Sequence, residues 1–371
     1  MSSELIFSLL PIFMVTTLGA SMTMVGLIEG IAESTTLIAK IFSGALSDIL
    51  GKRKLMATIG YGISALSKPL FPLANSITMV FFARFFDRFG KGIRDAPRDA
   101  LIGEIAPKDI RGTCFGLRQS LDTVGAVMGP LLGILLMYLL VDNIPLVFWI
   151  AVIPGFISLG ILIFFVEEPK KKTEKIESVS VELHEIKLLG WGYWKVSTIG
   201  FLLTLARFSQ AFLIVKAQAS GLQLMWIPII VVVMNVFYAF AGYPAGILSD
   251  TINRKFVLLI GILFLIVGDV ILGFSSNLWF VFLGVILWGL HMGFTEGLLA
   301  AMVTDTTRSH FRGTAYGIYN FINGIGMLIA SLLAGILWDK YGSIWTFLSG
   351  GSFSVVAFIL IIIFFDNKIK K

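Results

Sequence analysis

Twelve apolar stretches, each close to the length needed to cross a bilayer, follow one another with a single long polar interruption after the sixth. They fall near residues 1–17, 22–48, 55–74, 76–100, 112–139, 144–166, 193–217, 223–248, 255–275, 277–303, 313–338 and 343–365. A helix rises about 1.5 Å per residue and the hydrocarbon core is about 30 Å thick, so roughly 20 apolar residues make one crossing. A chain of 371 residues then holds twelve crossings and no separate soluble domain. Only 14% of the residues are charged and 57% are hydrophobic. A soluble chain carries about 25% charged residues, so this one has too little polar surface to face water on all sides, which excludes a cytosolic enzyme. The expected fold class is an all-α polytopic membrane protein.

The net charge of +6 is accounted for by topology and calls for no nucleic-acid partner. Lys52, Arg53, Lys54, Lys108, Arg111, Arg254, Lys255, Arg308 and Arg312 all follow even-numbered stretches, whereas the opposite loops hold Lys340, with Lys68 and Lys216 nearby. The positive-inside rule therefore puts both termini in the cytoplasm and makes this a multi-pass protein of the inner membrane. The long polar stretch at 167–187 is too charged to enter lipid and joins two halves. Residues 1–21 carry Glu4 where a signal peptide has a positive start, and are read as membrane. The single Cys114 allows no internal disulfide, and His184, His291 and His310 have no zinc-type spacing.

The two halves repeat. GALSDILGKRK from Gly44 matches GILSDTINRK from Gly246 at an offset of 202, and RGTCFG from Arg111 matches RGTAYG from Arg312 at 201. Six crossings precede the second copy, so both copies have the same orientation, related by an axis along the membrane normal. The expected organisation is two pseudo-symmetric six-helix bundles, 1–166 and 191–371, with a cytoplasmic linker at 167–190 and a shared site at the midplane. The same offset puts the partner of 193–217 partly before residue 1, so the first helix is expected to lack its cytoplasmic third.

Charges inside the crossings point to that site. Arg84, Arg88, Lys91, Asp95 and Arg98 share one face of the fourth stretch, flanked by Asp87, Arg94 and Asp99, while Glu29, Glu33 and Lys40 share one face of the second. Each such charge facing lipid would cost about 2.5–3.5 kcal/mol, so these faces must meet protein or water. Static ion pairs, or pairs that break as a proton or substrate arrives, both satisfy that requirement. In the second half, the offset of 201 carries Gln119 and Asp122 onto Asn320 and Asn323, beside Tyr316, and carries Asp95 onto Glu296. His291 lies about 140° round the helix from Glu296, so Glu296 is favoured for the cavity and His291 for a contact between helices. Arg207 and Gln210 in the seventh stretch, with Asn235 and Tyr238 in the eighth, complete the candidate set.

Gly44, Leu46, Ser47, Asp48, Gly51, Lys52 and Arg53 resemble the loop 2-3 signature of the major facilitator superfamily, with Ile49 departing at its first basic position. Gly246, Leu248, Ser249, Asp250, Arg254 and Lys255 resemble its degenerate second copy, with Asn253 in place of a glycine. Gly116, Gly125, Gly129, Pro130 and Gly133 resemble the fifth-span antiporter signature, except for Ile134. This resemblance implies the fold of that family and a cytoplasmic gate in which Asp48 latches the outward-facing state. It further implies alternating access, with proton-coupled antiport of a small organic solute out of the cell. Protonation of Glu33, Asp122 or Glu296 would then change which face is favoured, and the proton gradient would supply the energy without a cofactor. The glycines beside Arg118 and Asp122 are equally explained by close helix packing. An uncoupled facilitator or importer of an anionic solute remains the alternative, suggested by Arg84, Arg88 and Arg207. No nucleotide-binding loop, metal-ligand cluster or Ser/His/Asp set is present, so no enzymatic activity is expected, and the protein is expected to work as a monomer in the bilayer.

Overall fold

In hydrocarbon every backbone N–H and C=O must be satisfied within the chain, and an apolar sequence of this kind meets that demand by forming helices. A computed structural model describes residues 1–107, 110–168, 189–308 and 311–364, the Asp48 side chain excepted, and contains no strand among them. Most of the expected linker, with His184, and also Lys108 and His310, lie outside the described residues.

Thirteen α-helices are present among the described residues. They are α1 (Ser2–Ile12), α2 (Met22–Leu50), α3 (Arg53–Ser67), α4 (Ile77–Ile105), α5 (Arg111–Leu139) and α6 (Ile144–Phe165), then α7 (Trp191–Ala206), α8 (Ala211–Ala219), α9 (Ile229–Thr251), α10 (Arg254–Phe274), α11 (Leu278–Asp305), α12 (Arg312–Tyr341) and α13 (Ser343–Phe364). Four of them start on a side chain that accepts a free amide: Ser76 from Met79, Asn143 from Leu146, Asn253 from Lys255 and Asn277 from Trp279. Among the described residues, eight runs are long and apolar enough to cross a membrane, including the α7–α8 run Trp191–Ala219 and Leu224–Thr251. The helical run Ser2–Thr17 is shorter, and its last five residues form a π turn.

The seventh apolar stretch is not one helix. It breaks over 207–210, where no glycine or proline stands. One tertiary and one local contact hold the break: the Ser209 amide donates to Ser331 Oγ at 3.2 Å, and Ser209 Oγ accepts from the Ala211 amide at 3.2 Å.

The chain divides into two units. Unit 1 holds residues 1–20 and, from Ile31, the described residues up to 168; unit 2 holds residues 21–30 and the described residues from 189. Within unit 1, α3 and α4 cross backbone to backbone: a Cβ at Gly60 would stand 2.7 Å from the Gly90 carbonyl oxygen, and one at Gly90 would stand 2.6 Å from that of Gly60. In unit 2, α9 and α11 cross at Gly289 and Gly293, where a Cβ at Gly293 would stand 2.5 Å from Ala241 Cβ. Gly92, 201 positions earlier, meets Ala39 in the same way, at 2.7 Å. The sequence repeat therefore extends to the packing inside each unit.

Gly90→Ala is accordingly expected to destabilise the protein by about 1–3 kcal/mol, the usual cost of overpacking, because the methyl group would meet backbone that cannot rotate away. Thermal unfolding in detergent checks this, and a midpoint unchanged from wild type would show that the crossing has slack.

The first turn of α2 is capped from far along the chain. Asp339 on α12 accepts from the Met22 amide at 3.0 Å, the Thr23 amide at 2.8 Å and Thr23 Oγ1 at 2.6 Å. These amides are donors that an isolated helix leaves unsatisfied, and a carboxylate is the favoured partner there. Below the cap, Gly26 lies directly against the Ser331 carbonyl, and a Cβ at Gly335 would stand 2.7 Å from Thr23 Cα.

Candidate functional site

In unit 1 the bases of α4 meet acids from α2 and α5. Glu33 Oε1 lies 3.6 Å from Arg84 Nη2 and 3.5 Å from Arg88 Nη1. Both arginines are buried, and Phe7 of α1 covers them with its ring centroid 5.0 and 5.9 Å from the guanidinium carbons. Farther along α4, Arg98 sits 3.7 Å from Asp95, 3.3 Å from Asp99 and 3.8 Å from Asp122. Arg118 on α5 binds Asp122 at 2.9 Å and Asp99 at 3.3 Å. Two arginines thus share three carboxylates, and Asp122 keeps 47% of its side chain exposed. A polar cavity of about 440 Å³ opens here, lined by Lys91, Arg94, Asp95, Gln119 and Asp122 among others. Glu29 is completely buried and belongs to the α2 segment counted with unit 2.

In unit 2 the break between α7 and α8 presents Arg207. Its Nη1 donates to Glu296 Oε1 at 2.7 Å, and Tyr238 Oη donates to Glu296 Oε2 at 2.9 Å. Glu296 remains 35% exposed and Arg207 24%, so the pair is hydrogen-bonded yet reachable by solvent. Gln210 Nε2 lies 3.9 Å from Met292 Sδ, and Thr204 Oγ1 donates to Asn323 Oδ1 at 3.2 Å. Asn235 and Asn320 are half-buried. Tyr316 Oη reaches the Ala300 carbonyl at 2.6 Å and so ties α12 to α11. His291 lies on the other side of α11 from Glu296, buried, with Nδ1 2.9 Å from the Gly261 carbonyl, a bond that requires its proton on Nδ1.

The loop motifs serve helix junctions within each unit. Gly51 takes φ +58°, a left-handed turn that glycine tolerates without strain, and Lys52 precedes α3 on the surface. Arg53 binds Glu104 at 2.8 Å and the Ala100 carbonyl at 3.1 Å. Both partners of that ion pair recur 201 positions on, where Arg254 binds Asp305. Gly44 stands 3.6 Å, by its virtual Cβ, from Ala96 on α4, whereas Gly246 meets open space and Asp250 is exposed. The Asp48 side chain lies outside the described residues. On α5, a Cβ at Gly125 would stand 3.1 Å from the Met1 nitrogen and one at Gly129 2.7 Å from the Met1 carbonyl oxygen, so these glycines admit α1. Pro130 and Gly133 are buried, and Gly116 meets nothing.

Two buried polar contacts are absent from the sequence reading. Lys68 Nζ lies 3.2 Å from Asp87 Oδ1 and donates to Ser3 Oγ at 2.8 Å, while Ser64 Oγ donates to Asp87 at 2.5 Å. Trp288 Nε1 donates to Asp269 Oδ1 at 2.8 Å. The signal for the second was available: the offset of 201 carries Lys68 onto Asp269 and Asp87 onto Trp288.

The family profile described as Major Facilitator Superfamily matches residues 1–234 and 196–371. An uncharacterized MFS-type transporter of Methanocaldococcus jannaschii is 34% identical over 376 residues, covering 98% of this chain and 91% of the relative. The glucose transporter GlcP of Staphylococcus epidermidis is 27% identical over 387 residues, covering 91% and 85%. Among solved structures, a mutant of the nucleoside transporter NupG aligns with a TM-score of 0.82 at 16% identity, covering 98% of this chain and 96% of that one. A D-xylose–proton symporter aligns with a TM-score of 0.74 at 17% identity, covering 97% and 95%.

Proposed function

The chain belongs to the major facilitator superfamily, and from that premise we propose that it is a secondary active transporter exchanging a small organic solute for protons by alternating access. In this reading twelve helices form two six-helix bundles in the inner membrane, with both termini in the cytoplasm. The residues assigned to solute or proton binding are Glu33, Arg84, Arg88, Gln119 and Asp122 in unit 1, and Glu29, Arg207, Gln210, Asn235, Glu296, Asn320 and Asn323 in unit 2.

The observation that carries the reading is the Arg207–Glu296–Tyr238 cluster at a helix break. The Glu296 carboxylate, already held by two donors, can take a proton or a hydrogen-bond-donating group of the cargo in their place, but not both at once. Substrate and proton would thus compete for one arrangement, which is the requirement for exchange. The glycines of α5 add the family resemblance to antiporters. A second reading, uptake of a solute together with protons or down its own gradient, is favoured by the relatives and neighbours whose printed names are those of a glucose transporter and a D-xylose–proton symporter.

Purified protein in liposomes with an imposed pH gradient separates the two. Exchange predicts that an inside-acidic vesicle accumulates the solute and that collapse of the gradient stops it. Accumulation under the opposite gradient would establish co-transport, and movement of no solute across a panel of sugars, nucleosides, amino acids and organic anions under either gradient would refute both.

A further inference from the structure

Two buried contacts occupy equivalent places in the repeat, and they differ in charge balance. In unit 1 Lys68 faces Asp87 at 3.2 Å, a cation against an anion. In unit 2 the same two places hold Asp269 and Trp288, and the indole N–H donates to Asp269 Oδ1 at 2.8 Å. Asp269 has 0% of its surface exposed, and the ion pair at the break is made by Arg207 with Glu296. His291 on α11 is likewise engaged, with the Gly261 carbonyl. Taking a carboxylate out of water costs several kcal/mol, more than a single neutral N–H returns.

The second carboxyl oxygen sharpens the point. Asp269 Oδ2 is buried and has no hydrogen-bond partner among the described residues. A Cβ at Gly350 would stand 2.8 Å from that oxygen and 2.7 Å from the carbonyl oxygen of Ala206, so both oxygens border the same small gap. Ala206 ends α7, and with the helix broken over 207–210 no backbone amide among the described residues reaches its carbonyl. Two acceptors border one gap with no donor from the described residues between them, and a buried carbonyl left unmet is costly. A single proton satisfies both.

We propose that Asp269 is held as the neutral acid and donates its Oδ2–H across the Gly350 gap to the Ala206 carbonyl, which makes it the positioning residue of the break that presents Arg207 to Glu296. The hydrogen bond stands independently of the transport reading; only its effect on rate rests on that reading.

Infrared difference spectra of wild type against Asp269→Asn in nanodiscs at neutral pH test the bond directly. The carboxylic-acid C=O stretch is expected in wild type and absent from the variant; loss of carboxylate bands instead would overturn the proposal. Gly350→Ala, which puts a methyl group into the gap, provides a second measurement should the first variant not fold. Its acid band is expected to move as the bond to Ala206 is lost, and an unmoved band counts against the assignment. In liposomes, Asp269→Asn retains an acceptor for Trp288 and a donor for Ala206, and is expected to keep wild-type transport and its pH profile. Asp269→Leu is expected to slow transport about tenfold, the equivalent of one lost buried hydrogen bond. An Asn variant that folds but is as slow as the Leu variant overturns the positioning role. Failure of wild type to transport anything would sink the transport reading and leave the infrared result standing.

Discussion

Replacing Asp87 with Ala is expected to destabilise the protein by about 3–5 kcal/mol, the range measured when one partner of a buried ion pair is removed. Lys68 is only 3% exposed, so without Asp87 its ammonium group would keep Ser3 alone as a side-chain acceptor among the described residues. Ser64 would lose its acceptor as well. The test is the midpoint of thermal unfolding in detergent, compared with the double variant Lys68→Met, Asp87→Leu. The double variant is expected to recover most of the loss, because two apolar side chains of similar size leave no charge to solvate. A single variant as stable as wild type would mean that water reaches Lys68.

Glu296→Gln is expected to abolish gradient-driven transport while sparing exchange of solute for solute. Gln still accepts from Arg207 through its carbonyl oxygen, while its amide N–H donates to Tyr238 Oη with the hydroxyl turned to accept, so the cluster keeps its shape, but it cannot take up or release a proton. Liposome assays with and without a pH gradient separate the two activities. A variant that still concentrates solute against its gradient would place the proton site elsewhere, with Asp122 and Glu33 the next carboxylates to substitute.

The helices were legible because their apolar stretches are long and bounded by charge. The stretch read at 112–139 is helix Arg111–Leu139, and that read at 343–365 is Ser343–Phe364. What escaped was the break at 207–210, since no glycine or proline marks it and a single Ser is too weak a signal to end a helix. Ser331, far along the chain, supplies the acceptor for the Ser209 amide, and a partner at that separation leaves no local trace. Among the charges, the shared face of α4 foretold that its bases would need acids, and Glu33 meets Arg84 and Arg88. Which acid meets which base was not readable, because a face fixes direction but not reach. Arg98, placed by the sequence only on that face, lies against Asp95 and Asp99 of its own helix and also against Asp122 of α5. The contacts of Lys68 and Asp269 were missed because neither residue has a charged neighbour one or two turns away along its own segment; only the repeat links them. The twelve-crossing count goes beyond composition for the first four stretches, where Ser2–Thr17 is short and α4 carries a charged face.

Glycine crossings of the kind made by Gly60 with Gly90, and by Gly293 with Ala241, have a mechanical consequence. Where carbonyls lie against neighbouring backbone, no layer of rotatable side chains remains to absorb shear, so α3 with α4 and α9 with α11 each behave as one stiff plank. Compliance then belongs where the backbone ladder is already open, at the wide turn Phe13–Thr17 and at residues 207–210. Bending of these helical runs is then concentrated at such joints rather than spread along the crossings.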